Sequence, residues 1–128
     1  MNYPIILTSP HSGNFYPNFY LENLLTSIDK CRSIEDMYVD EFIQDFSTQG
    51  IKVLTSKYSR SVVDLNRKET EIDKSLIHGL NTNCEITNKV KLGIGLIPTQ
   101  TPRGKIFFKE KFSLSNFNFL INEIYLNW

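Results

Sequence analysis

Apolar and polar residues alternate in blocks along the chain, and each block predicts an element. Pro4-Ile5-Ile6-Leu7-Thr8-Ser9 is a short apolar run that breaks at Pro10-His11-Ser12-Gly13, so a strand reaching a sharp turn is expected. Leu21, Leu24, Leu25 and Ile28 follow helical spacing and predict a short helix or turn. Val39, Phe42, Ile43 and Phe46 repeat that spacing more clearly, and Gly50 ends the element. Ser33 is its expected N-cap, which puts Glu35 and Asp36 in a first turn where the helix dipole favours negative charge.

Ile51 to Thr55 reads as a second strand and Ser61 to Leu65 as a third. From Lys68 to Lys91 no period stands out, and mostly loop is expected. Lys105 to Phe108 suggests a short strand. Ser113 or Ser115 is placed to cap a last helix with Phe117, Leu120, Ile121 and Ile124 on one face. Strands alternating with helices predict an α/β fold, with part of the sheet parallel.

Composition narrows the function classes. The 128 residues suit a single domain. With 14 basic and 14 acidic residues, there is no electrostatic signature of nucleic acid or an anionic membrane as partner. No apolar run is long enough to span a bilayer and none resembles a secretion signal, so a cytoplasmic protein is expected. Cys31 and Cys84 stand outside any metal or redox spacing and are expected as reduced structural thiols.

The candidate chemistry starts at His11. In open α/β sheets, ligands gather beyond the carboxyl ends of strands, where this turn would lie. A helix that follows a parallel strand begins at that same edge, so an acid in its first turn can share a site with the histidine. Helical geometry aims Glu35 inward with Val39 and leaves Asp36 at the edge of the face. A histidine and a carboxylate with room for water suit zinc or a similar divalent ion.

A second constellation is Ser59-Arg60-Ser61-Val62-Val63-Asp64-Leu65-Asn66-Arg67. Guanidinium groups clamp carboxylates bidentately, so Arg60, Asn66 and Arg67 are candidates for holding a small anionic substrate. Asp64 is read as an internal partner that orients one arginine. His78 lies in a polar stretch and is read as a solvent-facing loop residue. Gly93-Ile94-Gly95 lacks the frame of a phosphate loop and is read as a turn or a close backbone approach.

Taken in order, Ser9-Pro10-His11-Ser12-Gly13, Tyr16-Pro17, Arg32, Glu35-Asp36, Val39-Asp40-Glu41, Tyr58-Ser59-Arg60, Val62-Val63-Asp64-Leu65-Asn66-Arg67, Gly93-Ile94-Gly95-Leu96-Ile97-Pro98-Thr99 and Gly104 resemble the N-formylglutamate amidohydrolase family. The resemblance implies a three-layer α/β/α phosphorylase/hydrolase-like fold, akin to zinc carboxypeptidases. It implies a metal-dependent hydrolase that cleaves N-formyl-L-glutamate to formate and L-glutamate during histidine breakdown. His11 and an acid at Glu35 or Asp36 would bind zinc or cobalt; the family pattern leans to Asp36. Asn66-Arg67, helped by Arg60, would hold the carboxylates of an N-acyl amino acid.

The chain also departs from that pattern. Members of the family are longer, and a later Asp-x-His-Ser motif that supplies another metal ligand has no match here. The chain therefore resembles the amino-terminal half of the enzyme. Three expectations follow. It should have little activity alone; a separately encoded carboxyl-terminal half could complete it, unless it is a non-catalytic remnant that keeps the arginine site. Phe117, Leu120, Ile121 and Trp128 should leave an apolar patch that promotes self-association.

Overall fold

The computed structural model describes residues 4–128. Its sheet is small. Strand β1 (Ile6–Ser9) pairs in parallel with β2 (Lys52–Thr55), with Ile6 opposite Lys52 and Ser9 opposite Thr55. Both strands were expected from their apolar runs, as was the parallel pairing. Parallel pairing requires a crossover, which here is built from α1 (Asn18–Glu22), α2 (Ile28–Arg32) and α3 (Val39–Gln44), the last running on as a 3₁₀ turn, Asp45–Gln49.

The helix expected from Ser33 onward begins only at Val39. Ser33 closes α2 as its C-cap instead of opening α3, and Tyr38 precedes α3 with a left-handed φ of 66°. Left-handed backbone is costly for a residue with a side chain, so Tyr38 separates the Glu35-Asp36 turn from α3. The Glu35 and Asp36 side chains are therefore not related by helical spacing.

Ser61 to Leu65 is not a strand. Its amides are used in turns and cross-links: Val62 donates to the Ser59 carbonyl at 3.0 Å and Asp64 to the Leu96 carbonyl at 2.7 Å. Those bonds hold Val62, Val63 and Asp64 fully buried without a ladder. The Lys68–Lys91 region is indeed largely irregular, with one 3₁₀ turn (Lys74–Leu76) and the short α4 (Asn88–Lys91). It is nonetheless pinned by buried Ile72, Ile77, Leu80 and Val90. Ile106 and Phe108 make single bridges to Gln100 and Leu24 in place of a strand.

The final helix forms as expected. Ser113 caps α5 (Leu114–Phe119) by accepting from the Asn116 amide at 3.1 Å, and the chain continues in a wider π turn, Leu120–Tyr125. Phe117, Leu120, Ile121 and Ile124 all face inward and are buried. Of the apolar patch expected at Phe117, Leu120, Ile121 and Trp128, the first three side chains instead complete the core with Tyr20, Phe107, Phe108 and Phe112, and only Trp128 is exposed. Edge-to-face ring pairs tie that core together, with Tyr20 and Phe108 centroids 5.1 Å apart and Phe108 and Phe112 centroids 4.7 Å apart.

Apolar side chains are exposed elsewhere. Ile5, Ile6, Val39 and Phe46 are partly open, and Phe42 is 78% exposed. The stripe that α3 was expected to bury is therefore open among the described residues. Cys31 is a buried free thiol whose pKa burial pushes up, and Cys84 is also free.

Candidate active site

Two close backbone approaches build the site. At Gly13 the turn after β1 passes so near the segment after β2 that a Cβ would lie 2.2 Å from the Tyr58 carbonyl oxygen. Only glycine fits, and Gly13 bridges Ser59 in parallel. Beyond the site, Gly95 packs its backbone against the Glu71 carbonyl in the same manner, as expected for that glycine pair. The Asp36 amide then donates to the His11 carbonyl at 3.0 Å, which draws the Glu35-Asp36 turn against the His11 turn.

The His11 ring is buried and contacted at both nitrogens. Nε2 lies 2.8 Å from Asp64 Oδ1, and Nδ1 lies 3.3 Å from Asp36 Oδ2. Burial pushes the Asp64 carboxyl up, but the His11 hydrogen bond, the Arg60 charge and the Asn66 amide outweigh it and hold the carboxyl below its ordinary range. An ionised Asp64 only accepts, so Nε2 carries the proton and donates to it. The other ring nitrogen, Nδ1, faces the Asp36 carboxylate. A ring nitrogen and a carboxylate oxygen 3.3 Å apart call for a proton or a metal cation between them. That separation is also about the ligand-to-ligand distance expected around a tetrahedral ion bonded at roughly 2.0–2.1 Å.

Glu35 and Asp36 are neighbours with opposite surroundings. The Asp36 side chain is 54% exposed, open to an incoming ligand. The Glu35 side chain is 1% exposed and accepts from Tyr16 Oη, Ser59 Oγ and, at 3.3 Å, Arg32 Nε. His11 is not among its partners. The inward aim that helical spacing assigned to Glu35 is realised, but it leads into a buried hydrogen-bond network and not to His11. Burial and the Glu35 hydrogen bond push the Tyr16 phenol far up, which keeps it a donor.

Asp64 also organises the arginines. Arg60 Nε donates to its Oδ2 at 3.0 Å, and Arg67 Nε stands 3.8 Å from the same oxygen. The internal role read for Asp64 thus extends to His11, a link that sequence spacing does not contain. Arg67 is further held by the Ile94 carbonyl at 2.9 Å and the Asn66 carbonyl at 3.1 Å. Asn66 is exposed, with its backbone amide bonded to Asp64 at 3.0 Å. Arg60, Asn66 and Arg67 therefore gather around one buried carboxylate that also grips His11. His78 is exposed and far along the chain in a different environment, as read from its polar context.

Among the described residues no group of three histidine, cysteine or acidic side chains is arranged to hold a metal ion. His11 and Asp36 offer two donors. No helix among the described residues is long and apolar enough to cross a membrane.

Comparison with known proteins gives a consistent result. The family model for N-formylglutamate amidohydrolase matches residues 3–128. The solved structure of N-formylglutamate amidohydrolase from Ralstonia eutropha JMP134 superposes with a TM-score of 0.87 at 27% identity. The match covers 97% of this chain and 44% of that one, so this chain spans less than half the length of its solved relative. No curated protein matches.

Proposed function

The chain belongs to the N-formylglutamate amidohydrolase family, and on that premise we propose that it carries one part of a metal-dependent site that hydrolyses N-formyl-L-glutamate to formate and L-glutamate. In this proposal its residues form part of a three-layer α/β/α domain, and the reaction belongs to histidine breakdown in the cytoplasm. The observation that carries the reading is the pairing of His11 Nδ1 with Asp36 Oδ2, held 3.3 Å apart with the far side of the ring fixed by Asp64.

The residues present fit a divalent cation in part. His11 and Asp36 would hold zinc or cobalt, with Asp64 fixing the tautomer, an arrangement that raises the basicity of a ligating histidine. When bound, such an ion supplies Lewis acidity toward a carbonyl oxygen and toward water. Glu35 stays off the metal, because its carboxylate is taken up by Tyr16, Ser59 and Arg32.

Substrate binding falls to the second cluster. Guanidinium has five donors, and Arg60 and Arg67 each keep donors that no described residue takes. Those donors and the exposed Asn66 amide suit the two carboxylates of N-formyl-L-glutamate or of a related N-acyl amino acid. Their attachment to Asp64 sets the distance between the held carboxylates and the His11 ring. In the proposed enzyme the third metal ligand and the proton-transferring carboxylate come from a polypeptide outside the described residues, such as a separately encoded carboxyl-terminal half. The solved relative is more than twice as long as the stretch this chain matches, which agrees with ligands lying outside the described residues.

Calorimetry with L-glutamate and N-formyl-L-glutamate, with and without cobalt, tests the reading. Binding should strengthen with cobalt and disappear in Arg67→Ala. Binding of equal strength with and without metal would favour a non-catalytic carboxylate-binding module. No binding in either case would sink both. Formate release by the 128-residue chain alone, with zinc or cobalt added, should be near background.

A further inference from the structure

Every segment that bears a candidate site residue is tied to one buried side chain. Tyr16, five residues after His11, lies in the turn beyond β1. Ser59 immediately precedes Arg60 and stands five residues before Asp64. Arg32 ends α2 and leads into the Glu35-Asp36 turn. Each of these three residues donates a hydrogen bond to the carboxylate of Glu35.

The network continues outward. Ser59 Oγ is 2.9 Å from Ser61 Oγ, and the Ser61 carbonyl accepts from Tyr20 Oη at 3.0 Å, which anchors the network in the aromatic core. Backbone bonds run alongside, from Ser59 N to the Phe15 carbonyl at 3.1 Å and from Asp36 N to the His11 carbonyl at 3.0 Å.

We infer that Glu35 is a positioning residue for this site: its carboxylate locks the His11 turn, the Asp36 turn and the Ser59–Asp64 stretch into one unit without touching the reacting groups. The physical basis is the cost of an orphaned donor. If the acceptor is removed, Tyr16 and Ser59 keep hydroxyls inside the protein that must find other partners or reach water. Reaching water requires the three segments to part, which moves Asp64 and Asp36 relative to the His11 ring. Asp36 can stay exposed because its neighbour fixes the turn beneath it.

What Glu35 positions rests on the reading of His11 and Asp36 as metal ligands; the locking itself does not. Two measurements on the 128-residue chain separate these points. Nitrogen-15 NMR of the His11 ring, without metal, reports whether Nε2 still donates to Asp64. Cobalt titration reports the metal pair. Loss of a partner that orients a ligand typically lowers metal affinity by about 10–100-fold.

Glu35→Ala should change the His11 ring signals and lower cobalt affinity by that factor. Glu35→Gln keeps an oxygen for Tyr16 and Ser59, so it should restore the ring signals and most of the affinity. Phe117→Leu, a core change away from the site, should lower stability and leave both readouts near the original.

A folded Glu35→Ala chain with unchanged ring signals and affinity would overturn the inference. So would a Phe117→Leu chain that loses as much affinity, since the effect would then be one of stability alone. Equal loss in Glu35→Gln and Glu35→Ala, with unchanged ring signals, would also overturn it by making Glu35 a ligand. If even the original chain binds no cobalt, the metal reading fails, and the ring signals still decide the role of Glu35.

Discussion

Around His11, buried carboxylates are held by several donors each: Asp64 takes the His11 ring, Arg60 and the Asn66 amide, and Glu35 takes Tyr16, Ser59 and Arg32. Across β1 and α3 the arrangement is reversed, with Ile6 and Phe42 more than half exposed. Buried polar groups that are fully bonded specify one arrangement. Exposed apolar groups specify none, because water accepts any orientation of them. The residues proposed to act on substrate therefore sit in the part of the molecule that fixes its own geometry. The sheet and α3 offer an apolar surface, which in the proposed three-layer domain a further layer would cover.

The largest expected effects fall on the side that fixes itself. Asp64→Ala leaves Arg60 and the His11 ring without their buried acceptor, and breaking such a pair typically costs about 3–5 kcal/mol. Urea unfolding should show a loss of that order, together with loss of glutamate binding. Tyr20→Ala should cost a similar amount, about 3–5 kcal/mol, because a fully buried aromatic leaves a cavity and the Ser61 carbonyl loses its donor. If either variant unfolds like the original, the contrast between the two regions is wrong.

Acid should weaken the same side. The Asp64 carboxyl is held below its ordinary range in the folded chain. Its contribution is then complete above the unfolded value of about 3.9 and lost as pH falls through the folded one. Stability followed by circular dichroism should drop below about pH 4, and Asp64→Asn, less stable at neutral pH, should show a shallower drop.

A smaller effect is expected where one cap holds one helix. Ser113→Ala removes the acceptor of the Asn116 amide and should cost about 1 kcal/mol. The smallest falls on the open face: Phe42→Ser should alter stability by no more than about 0.5 kcal/mol. It should also reduce any self-association seen by sedimentation, because Phe42 is the most exposed large apolar residue among those described. A large loss of stability in Phe42→Ser would mean that this face is already covered.

What could be read from the sequence divides along the same line. β1, β2 and a cap at Ser113 or Ser115 came from local signals (apolar runs, turn residues and capping serines), and parallel pairing came from the alternation of strands and helices. The site residues His11, Asp36, Arg60, Asn66 and Arg67 were singled out, and the structure gathers all of them around Asp64 or His11. Helical spacing leaned to Glu35 and the family resemblance to Asp36, and which of the two faces the His11 ring was not legible from periodicity. It depends on the left-handed Tyr38 and on α2 ending at Arg32, which together replace a continuous helix with a turn. Ser61 to Leu65 misled for a related reason. Its apolar residues are buried by hydrogen bonds to Ser59 and Leu96, distant partners that strand periodicity cannot reveal. That Phe117, Leu120, Ile121 and Ile124 share one face was read correctly, but that this face packs into the core was not.

The most direct test is a cobalt titration, followed by visible absorption, of the original chain beside Asp36→Ala and Glu35→Gln. If His11 and Asp36 are the metal-binding pair, Asp36→Ala should abolish the cobalt signal while Glu35→Gln largely retains it. Retention in Asp36→Ala together with loss in Glu35→Gln would contradict the arrangement proposed for this site.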